Sequence, residues 1–128
     1  MELASIVAAL ALFQYSLYVR KAGAARGRFG VPAPATTGNE DFERQLRVQS
    51  NTVEQLIIFL PGLFLFAHWV SEPVAAGIGL VFMLGRSLYA RAYVNDPSGR
   101  GPGFLLTVLS NMVLLLGTLA GAIRAWLA

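Results

Sequence analysis

The sequence predicts an all-α integral membrane protein, a four-helix bundle, on three observations. Of its 128 residues, 55% are hydrophobic and only 13% charged, against roughly 45–50% and about 25% in soluble domains. A small soluble domain with its large relative surface needs more polar side chains than that. The apolar residues come in long uncharged blocks, Leu3 to Val19, Gln55 to Ser71 and Phe104 to Ile123, each near the ~20 residues that cross a hydrocarbon core. The basic residues gather at the ends of these blocks. The length accommodates one domain, spanning residues 1–128.

The first block follows Glu2 and has no positive segment before it, so it reads as a retained span and not a cleaved signal peptide. Helix two is expected to start near Asn39: Thr37-x-x-Glu40 is a capping-box pattern, and Glu40, Asp41 and Glu43 suit the positive end of a helix dipole. Pro61 is expected to bend it. The third span begins at Pro73 and has 13 residues before Arg86. It reaches full length if Arg86 and Arg91 extend toward the headgroups. Strands are excluded because the blocks lack the apolar-polar alternation of a membrane barrel, whereas helices satisfy their own backbone within lipid.

The connections are Lys21 to Gly38, a tight turn at Glu72-Pro73, and Asn95 to Gly103. Loops one and three with their flanking helix ends carry nine of the ten basic residues. Both loops are therefore expected in the cytoplasm, with the two termini outside. Basic residues tied to membrane ends do not make a nucleic-acid surface, despite the net charge of +3. The loop-one cluster suits anionic lipid headgroups.

Two polar stripes interrupt the apolar pattern. Arg47, Asn51 and Glu54 follow i, i+4, i+7 on helix two, with Gln49 and Gln55 to the sides, and Arg86, Tyr89 and Tyr93 follow i, i+3, i+7 on helix three. Such groups are costly against lipid and are expected to face a bundle interior or a wet cavity. The plain alternative is that Arg47 and Glu54 only pair as structural ions. A ligand matching this lining offers carboxylates to the arginines, an ammonium to Glu54 and peptide amides to Asn51 and Gln49, as a small zwitterionic peptide does. No cysteine is present, so thiol chemistry requires an imported thiol, and Arg100 or a tyrosine hydroxyl would favour its thiolate.

The run Phe42-Glu43-Arg44-Gln45-Leu46-Arg47-Val48-Gln49-Ser50-Asn51-Thr52-Val53-Glu54 resembles the signature of the MAPEG family, membrane-associated proteins of eicosanoid and glutathione metabolism. Pro34-Ala35-Thr36-Thr37-Gly38 and Gly85-Arg86-Ser87-Leu88-Tyr89-Ala90-Arg91-Ala92-Tyr93 resemble the loop and third helix of its leukotriene C synthases and microsomal glutathione transferases. The resemblance implies a homotrimer with glutathione held between subunits near the cytoplasmic side, and a hydrophobic small-molecule substrate entering from the bilayer lipids. It implies a glutathione transferase or peroxidase, with Arg26, Arg47, Gln49, Asn51, Glu54, Tyr89 and Tyr93 binding glutathione and Arg100 stabilising its thiolate. Gln55 stands where leukotriene C synthases have a tyrosine, and Gly27 where they have a second loop-one arginine, so leukotriene synthesis is not expected. The family also includes a lipoxygenase-activating protein, which leaves a non-catalytic lipid- or small-molecule-binding scaffold as the alternative. A third reading is a structural oligomer whose polar stripes pair internally.

Remaining motifs carry plainer expectations. Gly117-x-x-x-Gly121, Gly77, Gly79 and Gly85 suit close helix approach. Gly99-x-Gly101-x-Gly103 lacks the context of a phosphate loop. His68 beside Trp69, like Trp126, fits an interfacial anchor. With no second ligand type nearby, His68 predicts no metal site, and Tyr15 and Tyr18 are expected to pack.

Overall fold

The computed structural model describes all 128 residues. Four helices, α1 (Glu2–Arg28), α2 (Glu40–Trp69), α3 (Glu72–Asn95) and α4 (Gly101–Leu127), follow one another, with a short 3-10 turn at Pro97–Arg100 before the last. All four are long and apolar enough to cross a membrane, which makes this a multi-pass membrane protein. The helices α2 and α3 pack on each other, and each also contacts α1 and α4.

The core is built by shape. Leu56, Phe59, Leu63 and Phe66 of α2 fall at i, i+3, i+7 and i+10 and are buried against the small residues Ala4, Ala8 and Ala11 of α1 and Ala75 and Ala76 of α3. The Phe59 and Phe82 rings stack with centroids 3.9 Å apart. Between 28% and 44% of each helix's most apolar window is buried within the bundle, so most of that surface faces outward.

Helix α1 continues through the residues expected to form the first connection. Ala22 and Ala25 are buried, and the positive charges of Arg26 and Arg28 lie in the last turn, where the helix dipole favours cations. Loop one is thus confined to residues 29–39. Arg26 closes it, donating to the carbonyls of Val31 at 3.4 Å and Ala35 at 2.7 Å while its guanidinium lies 4.6 Å over the Phe42 ring.

The cap of α2 is Asn39, not Thr37. Its Oδ1 accepts from Phe42 N at 3.0 Å, and Glu43, not Glu40, reaches back to Gly38 N at 3.4 Å. The expected box is therefore shifted: Asn39 has the extended backbone of a cap, and Glu40 is taken by Arg44 at 2.5 Å. Arg44 also donates to the carbonyls of Val94 and Asn95, both at 3.3 Å, fastening the end of α3 to the start of α2. At 30 residues, α2 is about 45 Å long, longer than the hydrocarbon core is thick, and it runs unbroken through Pro61.

The connection between α3 and α4 is shorter than expected. Helix α3 includes Arg86 and Arg91 and ends at Asn95, and Asp96 caps the 3-10 turn by accepting from Ser98 N at 3.1 Å. Hydrogen bonding from the Ser98 side chain, with that backbone bond second, holds the Asp96 carboxyl below its usual range. Gly101 and Gly103 are both helical; Gly101 faces open space, whereas a Cβ on Gly103 would collide with the Tyr89 backbone nitrogen and lie 2.7 Å from its Cα. Gly85 faces the same seam, 2.9 Å from Leu106 Cβ on the same measure. Gly79, Gly117 and Gly121 likewise meet Val7, Phe66 and the Trp69 carbonyl, whereas Gly77 has nothing within 4 Å and serves no close approach.

Candidate functional site

The seam between α3 and α4 opens into a depression of about 340 Å³ lined by Arg47, Asn51, Tyr89, Tyr93, Arg100 and Phe104. Three helices and the 3-10 turn each supply part of it. Helix α2 contributes Arg47 and Asn51 one turn apart, and α3 contributes Tyr89 and Tyr93, whose rings stack with centroids 5.5 Å apart. The turn delivers Arg100, held by donation to the Pro97 carbonyl at 2.8 Å. Phe104 closes the wall, 6.2 Å from Tyr89 between centroids. The volume lies at the lower end of the range for small-molecule sites.

The lining includes two cations and no carboxylate. Glu54 stands one helical turn beyond Asn51 and meets Arg47 at 3.4 Å. Both side chains are about half exposed, 48% and 54%. An exposed pair of this kind is worth only about 0–1 kcal/mol, so internal pairing does not account for the stripe, and both groups remain accessible to a ligand.

Arg86 is turned the other way and is fully buried. It donates to Asn51 Oδ1 at 2.7 Å, Thr52 Oγ1 at 3.0 Å and Thr107 Oγ1 at 3.3 Å, and it lies 4.4 Å over the Tyr89 ring. No carboxylate pairs with it. The hydroxyls are free to accept because Thr52 donates to the Val48 carbonyl at 2.7 Å and Thr107 to that of Gly103 at 2.9 Å. A guanidinium only donates, so it fixes the oxygen edge of the Asn51 amide inward. The Asn51 nitrogen, with no protein partner, is the edge available to the depression. Asn51 is thereby a donor toward whatever the depression holds.

Of the residues singled out from the sequence, Arg47, Asn51, Tyr89, Tyr93 and Arg100 converge here, with Glu54 attached through Arg47. Arg26 and Gln49 do not line the depression within the protomer. Gln55 faces α4, accepting from Asn111 Nδ2 at 3.1 Å, which gives it a bundle-joining role. Sequence reasoning missed Phe104, Thr52 and Thr107. Phe104 carries no polar signal, but an arginine inside an apolar segment does call for buried acceptors, and the threonines provide them.

The MAPEG family model matches residues 3–120. The chain belongs to the MAPEG family. Among this MAPEG protein's relatives is an uncharacterized protein of Synechocystis sp., 51% identical over 115 residues, 90% of this chain and 84% of the relative. Human microsomal glutathione S-transferase 2 is 36% identical over 121 residues, covering 94% of this chain and 80% of the relative. Leukotriene C4 synthase of Bos taurus is 34% identical over 109 residues, covering 79% and 73%. These relatives support a glutathione-related function in the membrane for this MAPEG chain.

Proposed function

We propose that the protein is a glutathione-dependent membrane transferase, with peroxide reduction as a related capacity, acting on hydrophobic electrophiles as a homotrimer. The observation that carries this reading is the convergence of Arg47, Asn51, Tyr89, Tyr93 and Arg100 around one depression on the outside of the protomer. The arginines bind the two carboxylates of glutathione, Glu54 takes its ammonium, and the Asn51 amide donates to a peptide carbonyl or a carboxylate. Arg26 and Gln49, absent from the depression in one protomer, complete it from a neighbour in the trimer. Loops one and three lie on the cytoplasmic side.

Arg100 is the residue beside which the thiol loses its proton to water. A cation there lowers the thiol pKa from about 8.5, and the thiolate attacks an electrophilic carbon delivered from the bilayer, forming the C–S bond as the carbon's leaving group, such as chloride, departs with its electron pair. Peroxide reduction instead consumes two thiols, yielding the alcohol, water and the glutathione disulfide.

Calorimetry of the detergent-purified protein is expected to show saturable heat with millimolar glutathione, and its absence overturns the reading. The Arg100→Ala variant is expected to lose most of the ultraviolet thiolate absorbance of bound glutathione while its affinity changes less than tenfold. An unchanged thiolate signal removes Arg100 from the chemistry. Turnover of an electrophile such as a chlorodinitroarene separates the transferase from a binding scaffold, which would take up glutathione without consuming it.

A further inference from the structure

A second polar cleft lies on the other side of the α2–α3 pair. Its volume is about 320 Å³, and Gln14, Tyr18, Lys21, Gln45, Ser87 and Arg91 are among its polar lining. Two residues along a helix turn it by about 200°, so Gln45 points away from Arg47, and Ser87 and Arg91 point away from Tyr89. The cleft and the depression thus occupy opposite faces of the same two helices, at the same end of the bundle.

The cleft has a gradient of chemistry along its length. Lys21 and Arg91 stand toward the loop end, and neither is in an ion pair. About 10 Å further in, by the helical rise, Gln14 donates to Ser87 Oγ and to the Met83 carbonyl, both at 2.9 Å. The Tyr18 hydroxyl lies within hydrogen-bond reach of both Ser87 and Gln14, so at this inner end Ser87 and Tyr18 form a neutral hydroxyl pair with a proton left to donate outward. No carboxylate lines the cleft. An adjoining hollow of about 410 Å³ shares Lys21 and Gln45 and adds Arg28, with Asp41 its one acid.

We propose that this cleft binds a phosphate ester, the headgroup of an anionic phospholipid, clamped between Lys21 and Arg91 with the Ser87–Tyr18 hydroxyl pair donating to the oxygens nearer the acyl chains. Two unpaired cations at headgroup depth, with neutral donors inward, match the order of groups along a phospholipid, phosphate outside and ester oxygens inside. Free phosphate shares the outer half of that chemistry and lacks the inner. The site uses none of the residues assigned to glutathione and stands whether or not that assignment does.

Native mass spectrometry of the detergent-purified protein with phosphatidylglycerol or phosphatidylcholine tests it, with Lys21→Gln/Arg91→Gln compared against Arg124→Gln at the opposite end of the bundle. The wild type and Arg124→Gln are expected to retain phosphatidylglycerol at least tenfold better than the double variant, and phosphatidylglycerol to raise their unfolding midpoint but not that of the double variant. Equal retention and equal stabilisation in all three proteins overturn the proposal. If inorganic phosphate reproduces the whole charge-dependent stabilisation and the lipid adds nothing, the headgroup assignment is overturned in favour of a free anion. Glutathione calorimetry on the double variant keeps the two sites apart, since its heat is expected to match the wild type.

Discussion

Asn51→Asp is expected to lower glutathione affinity about 100-fold without lowering thermal stability. The substitution is nearly isosteric and leaves an oxygen for Arg86, which donates to Asn51 Oδ1 at 2.7 Å and has no carboxylate partner. The new carboxylate therefore gains a buried ion pair. Toward the depression, however, a donor becomes an anionic acceptor. A hydrogen bond involving a charged group contributes about 1.5–3 kcal/mol, and each 1.4 kcal/mol is tenfold in affinity. Repulsion between the new charge and the ligand's carboxylates adds to the loss. Calorimetry with glutathione and a melting curve on the same preparation separate the two effects. Affinity within threefold of the wild type would confine Asn51 to holding Arg86.

The second large effect is structural. Gly103→Ala is expected to cost about 1–3 kcal/mol of stability, the usual penalty of overpacking, and to lower the unfolding midpoint by several degrees. The added Cβ would meet the Tyr89 backbone and lie 2.8 Å from the Gly85 carbonyl oxygen. None of these atoms belongs to a side chain that can swing aside, so α3 and α4 must separate. Because Tyr89 and Phe104 stand on the two sides of that seam, glutathione affinity should fall with the midpoint. Gly77→Ala is the control: nothing lies within 4 Å of its added Cβ, and alanine is the better helix former, so its midpoint should hold or rise. Equal behaviour of the two variants would mean the helices do not touch at Gly103.

Much of this architecture is legible in the residue pattern, and its gaps have physical causes. Uncharged blocks locate the four helices, and the glycines at Gly79, Gly85, Gly117 and Gly121 correctly mark close packing. Composition misleads where contact overrides it. Gly23, Gly27 and their basic neighbours suggest a loop, yet burial of Ala22 and Ala25 carries α1 through to Arg28. The glycines at Gly101 and Gly103 suggest a flexible turn, but Gly103 is needed because no side chain fits against α3. In the site, helical spacing brings Arg47 and Asn51 together with Tyr89 and Tyr93. It leaves open whether the second stripe faces the bundle interior or a cavity, and the stripe divides: Arg86 turns to the interior, where α2 and α4 supply its acceptors, while Tyr89 and Tyr93 line the depression.

The Arg86 arrangement bears on how the chain is assembled in the bilayer. Its acceptors reside on α2 and α4, so α3 entering lipid alone would carry a bare guanidinium, at about 2.5–3.5 kcal/mol for an arginine at mid-membrane. The carbonyl of Asn51 and the hydroxyl of Thr52 are made before α3 leaves the ribosome, but that of Thr107 is made after it. The third segment therefore inserts less favourably alone than beside its neighbours, and it settles in place only once they have arrived.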